Sequence, residues 1–139
     1  MWWIYALLSA FFAALVAVFA KIGIKGVDAD LATAIRTVII LLIAWSIAFF
    51  KGSVPQLSGL SKTNWIFLVL SGCATGLSWV FYFRALQLGE VAKVAPIDKL
   101  SVALAILISV IFLGETLTWK AALGAGMIIA GTFVLIFAK

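Results

Sequence analysis

Five apolar runs, each long enough to cross a lipid bilayer, take up most of this chain of 139 residues. They lie at about residues 3–20, 31–50, 64–88, 96–113 and 118–138. A spanning helix needs about 20 mostly apolar residues. The whole chain is 66% apolar and 11% charged, with a mean hydropathy of +1.29, against about 45–50% apolar and about 25% charged in soluble domains. A soluble fold with this composition has too little polar surface to face water. In lipid, every backbone polar group must be satisfied inside its own helix or a closed barrel. The sequence therefore predicts an all-α integral membrane bundle of five transmembrane helices, a single domain over 1–139, with no β-sheet and no soluble subdomain.

Local signals place the ends of these helices. Asp30 suits the N-cap of the second, and the polar Ser61-Lys62-Thr63 precedes the third. Pro96 suits the first turn of the fourth, where its missing N–H costs nothing. Gly114 suits that helix's end and Thr118 the next N-cap. The longest connection, 51–63, carries Gly52, Pro55 and Gly59; the others are short and force antiparallel hairpins. The first run has no basic residue ahead of it, and Trp2, Trp3 and Tyr5 read as an interfacial anchor. Val18-Phe19-Ala20 is only a weak cleavage site, so this run is read as a retained helix. Leu8-Ser9, Leu15 and Val18-Phe19 recur as Leu70-Ser71, Leu77 and Val80-Phe81 at an offset of 62, a hint that the first and third spans play similar roles.

The net charge is +5, but the ten basic residues sit mostly at the ends of apolar runs. There they anchor and orient helices, so the expected partner is the lipid bilayer and not nucleic acid. The side holding the N-terminus carries Lys51, Lys62 and Lys120, and the other carries Lys21, Lys25, Arg36, Arg84, Lys93, Lys99 and Lys139. The positive-inside rule then places the N-terminus outside and the C-terminus inside, in a multi-pass protein of the plasma membrane. Trp2, Trp3, Trp45, Trp65 and Trp119 gather toward the N-terminal side, as an interfacial belt does. No histidine is present, the one cysteine, Cys73, lies mid-run, and the five acidic residues lack metal-cage spacing. With no nucleophile–base pair either, neither an enzyme nor a metal or other cofactor is expected.

Several helix faces carry more information. On the fifth span, Ala122, Gly126 and Ala130 recur every four residues, a small-residue ladder that joins helices within one chain or between two. On the third, Ser71, Thr75, Ser78 and Tyr82 share one stripe, and Gly72, Gly76, Trp79 and Phe83 share the next. Gly72 and Gly76 form a GxxxG contact surface. The hydroxyl stripe either lines a polar cavity or bonds its own helix carbonyls four residues back. On the fourth, Asp98, Ser101, Ala105 and Ser109 form a small and polar stripe. An ionised group deep in a helix costs about 2.5–3.5 kcal/mol on insertion scales, so such groups face the bundle interior or water. Asp98, Arg36 and Lys99 are the charge network: Asp98 either pairs with Arg36 or Lys99, or handles substrate or protons, and both roles are compatible.

The stretch from Trp79 to Gly89, continuing through Lys93, Pro96, Asp98, Lys99 and Ser101, resembles the EamA-type domain of the drug/metabolite transporter superfamily. So does Phe112-Leu113-Gly114-Glu115-Thr116-Leu117-Thr118 followed by Gly124 and Gly131. The resemblance covers nearly the whole chain and is most specific over 79–131. It implies a secondary transporter. Most members carry two inverted five-helix domains around a cavity lined chiefly by the first four helices of each. A one-domain member then needs a second copy of itself or a related five-helix subunit, and moves a small metabolite or drug-like solute by alternating access. The expected cavity residues are Ser71, Thr75, Ser78, Trp79, Tyr82, Asp98, Ser101 and Ala105, with Arg36 and Lys99 setting its charge. The competing readings are a non-transporting accessory subunit and a small multidrug resistance-like exporter. The latter family uses four spans and a glutamate in the first helix, and the first span here holds no acidic residue.

Overall fold

The computed structural model describes residues 1–137. The fold is all-α, with no strand among the described residues. Its helices are α1 (Trp2–Gly23), α2 (Ala29–Phe50), α3 (Lys62–Leu88), α4 (Val91–Asp98), α5 (Leu100–Ile108) and α6 (Trp119–Phe137), with a short 3-10 helix at Val54–Gly59 between α2 and α3. A π-helical turn at Ser109–Leu113 extends α5, so that Val91–Leu113 forms one span. Five segments are thus long and apolar enough to cross a membrane, as expected.

The boundaries correct the sequence reading in three places. α1 runs on to Gly23, because nothing in Lys21-Ile22 breaks a helix; the reversal comes at Gly26, whose φ of 73° suits only glycine well. The N-cap of α2 is Asp28, not Asp30: the Asp28 carboxylate accepts from the Asp30 and Leu31 amides, each at 3.0 Å. A cap of this kind contributes about 1 kcal/mol. It moves the helix start two residues earlier and leaves the Asp30 carboxylate for other work. Pro96, expected in a first turn, lies inside α4, because Val91 and its neighbours already form helix behind Glu90. α4 stops at Asp98, and a break at Lys99 separates it from α5.

Other expected signals hold. The Ser61 hydroxyl accepts from the Asn64 amide at 3.1 Å, and Thr118 from the Ala121 amide at 3.2 Å. Gly114 ends the fourth span with a φ of 67°.

The chain divides into two compact units, Phe19–Gln87 and Met1–Val18 with the chain from Leu88 onward. In Phe19–Gln87, the buried residues are Ile24, Ala29, Thr33, Phe83 and Leu86, all near the α1–α2 connection and the end of α3. Between Ala34 and Tyr82 no described residue is buried. The Lys21 ammonium donates to the Leu86 carbonyl, and the Gln87 amide to the Val27 carbonyl at 2.6 Å.

In the other unit, α6 packs on α4 and α5. Its covered face includes Ala122, Ala125 and the buried Thr132, whereas Gly126 and Ala130 are exposed. Small residues on the covered face let backbones approach. Thr132 donates its hydroxyl to the carbonyls of Pro96, at 3.2 Å, and Ile128, at 2.8 Å.

Candidate functional site

The third-helix candidates lie in the Phe19–Gln87 unit. Ser71, Thr75 and Ser78 are exposed, and Trp79 and Tyr82 are half-buried. The Thr75 hydroxyl donates to the Ser71 carbonyl at 2.8 Å, the local bond open to any hydroxyl on a helix. That bond satisfies the donor and leaves the oxygen's lone pairs available. A Cβ placed on Gly72 or Gly76 would meet nothing within 4 Å among the described residues. Among the described residues, the glycine face thus meets no packing partner.

Arg36 stands seven residues after the start of α2, about 10 Å along the helix axis. Its guanidinium carbon lies 4.5 Å from the Trp79 ring centroid and 5.2 Å from that of Phe83. Trp79 and Phe83 are four residues apart on α3 and so share a face. Cation–π contacts of this length contribute about 0.5–2 kcal/mol. Holding an arginine at depth costs about 2.5–3.5 kcal/mol on insertion scales. Two such contacts offset part or all of that cost, but they supply no counter-ion. Arg36 forms no ion pair with the described residues, and its buried Nη1 finds no acceptor among them.

The nearby carboxylates are committed. Asp28 caps α2. Asp30 receives Arg84 in a two-point fork, Nη2 to Oδ2 at 2.6 Å and Nε to Oδ1 at 3.2 Å. This pair and the role of Phe83 escaped the sequence reading. The spacing of Phe83 from Trp79 was the signal for the one. For the other it was the position of Asp30 and Arg84 at the same membrane end.

The remaining candidates belong to the other unit. Asp98 is the last residue of α4 and pairs with its neighbour Lys99, Oδ2 to Nζ at 3.4 Å. Of the partners left open for Asp98, the structure shows Lys99. Ser101 and Ala105 are exposed on α5. The break at Lys99 puts Asp98 and Ser101 on separate helices, so their stripe is not the face of one continuous helix. Ser109 donates to the Ile106 carbonyl at 3.0 Å.

A pocket of about 280 Å³ lies at the far end of α2, lined by Ala44, Trp45, Ala48, Ser53, Val54 and Leu57. It contains none of the expected site residues and no ionisable group. The candidate site is therefore the arginine–aromatic cluster of α2 and α3; the Asp98–Lys99 pair is a separate polar group of the other unit.

Comparisons with known proteins show the family. The chain matches the EamA-like transporter family over residues 1–137. It is 49% identical over 134 residues to an uncharacterized transporter in the cobO 3' region of Sinorhizobium sp., covering 96% of this chain and 95% of that one. No solved structure matches. The match over nearly the full length shows that this multi-pass membrane protein belongs to the EamA-like transporter family.

Proposed function

We propose that the chain is one half of a secondary transporter, working as a dimer in the cytoplasmic membrane and moving a small metabolite or drug-like solute by alternating access. The observation that carries this reading is Arg36, a cation inside a span with no counter-ion among the described residues. A scaffold gains nothing from such a charge, whereas a solute site uses it. The uncovered glycine faces support a partner copy: Gly72, Gly76 and Gly126 all have open space where a Cβ would point. Ser71, Thr75, Ser78, Trp79 and Tyr82, with Asp98, Ser101 and Ala105, would line the shared cavity. Arg36 and Lys99 would set its charge.

Five spans reverse the chain's direction across the membrane. A second copy in the opposite orientation would then supply the inverted partner that alternating access requires. The test is the mass of the purified protein in mild detergent, together with uptake of a metabolite panel by proteoliposomes. The expected outcome is a dimer that accumulates at least one solute. A monomer that transports by itself would refute the dimer, and a dimer that moves none of the panel would favour the accessory-subunit reading.

A further inference from the structure

The Phe19–Gln87 unit holds six basic residues and two acidic ones. Both acidic side chains are used, Asp28 in capping α2 and Asp30 in binding Arg84. The unit therefore has no carboxylate to spare for Arg36. Trp79 and Phe83 contact the guanidinium through their ring faces. Aromatic rings offer no oxygen acceptor, so the guanidinium's N–H edge keeps its capacity for an anion. That edge has the fork geometry that carboxylate and phosphate oxygens fit. Of the three guanidinium nitrogens only Nη1 is enclosed without a partner, and the residue as a whole is half-buried, so the rest of the edge can be reached.

We propose that Arg36, held on Trp79 and Phe83, is the recognition point for the anionic group, carboxylate or phosphate, of a small organic solute. The proposal rests on the transporter reading and names its substrate class. The aromatic pair holds the guanidinium in place before the solute arrives, which lowers the entropy lost on binding. The missing negative charge comes with the cargo.

Four probes sharing one ring and differing only in their head group test this: benzoate, phenyl phosphate, neutral benzamide and cationic benzamidine. The readout is the melting temperature of the full chain in an uncharged maltoside detergent. Benzoate or phenyl phosphate should raise it in a saturable way, and benzamide and benzamidine should not. Arg36→Gln should weaken the apparent affinity at least about tenfold, the effect expected for loss of a charge-assisted hydrogen bond. Lys25→Gln, on an exposed residue of the α1–α2 connection, should leave it unchanged. If Arg36→Gln does not fold, Arg36→Lys carries the test, because it keeps the charge but loses the fork and should bind several-fold more weakly. An unchanged affinity in both variants, a response to benzamidine, or no response to either anion would overturn the proposal.

Lipid headgroups offer the same phosphate chemistry. Displacement of benzoate by added phosphatidylglycerol would give the site to a lipid and overturn the solute assignment. Persistence of the response in phosphatidylglycerol would support the solute. The two readings fail separately. Anion binding without uptake into proteoliposomes would keep the site and remove the transporter. Uptake of benzamidine with no anion binding would keep the transporter and remove the site.

Discussion

Arg84 and Arg36 carry the same head group at the same end of the Phe19–Gln87 unit, yet their surroundings differ. Arg84 is four residues from the end of α3 and reaches the Asp30 carboxylate. Arg36 lies deeper and rests on aromatic faces. The first arrangement ties α2 to α3, and the second leaves a charge available. Exchanging the pair, Asp30→Arg with Arg84→Asp, should keep the tie, while either single change should lower the melting temperature by leaving like charges opposed. Thermal unfolding of the three variants measures this, and a double variant no better than the singles would remove the pair from the stability of the unit. At this scale the sequence made Arg36 and Trp79 legible as candidates, since a charge and a half-polar ring inside apolar runs are conspicuous. It did not reveal their contact. Several basic residues occupy that membrane level, and the choice among partners depends on how α2 and α3 are rotated, which apolar stripes of low contrast do not specify.

The fourth span shows the same limit for an element. Its apolar length was readable from the sequence, and so was its end at Gly114. Its start was not, because Pro96 suited a first turn although residues 91–95 already form helix. At the break after Asp98, the Lys99 amide is shared between the carbonyls of Ala95 at 3.3 Å and Pro96 at 3.1 Å. The Thr132 hydroxyl adds a bond to that Pro96 carbonyl from α6. Thr132→Val keeps the shape and removes the hydroxyl. It should destabilise the protein by about 0.5–1.5 kcal/mol, the net value of a buried hydrogen bond. Denaturant unfolding in detergent measures the loss, and an unchanged midpoint would show that Thr132 does not brace the break.

For the whole molecule, the sequence made the helix count and the class legible because hydropathy over 18 or more residues is a strong signal. It left open which faces are covered. Most large apolar side chains remain exposed, which in lipid costs nothing and so leaves no hydrophobic pattern to read. The depth of Arg36 has an electrical consequence. A charge moved across the full membrane gains or loses about 2.3 kcal/mol per 100 mV. Arg36 stands about a quarter to a third of the way through a hydrocarbon layer about 30 Å thick, so its share of that field is about 0.6–0.8 kcal/mol per 100 mV. If the cargo is a monoanion, the loaded site is neutral and the empty one carries a full positive charge. Reorientation of the empty carrier should then respond to voltage, and reorientation of the loaded carrier should not. In proteoliposomes with a potassium diffusion potential set by valinomycin, net uptake should therefore change with voltage while exchange of the same solute stays constant. Equal voltage dependence in both modes would mean that the site never loses its charge to the cargo.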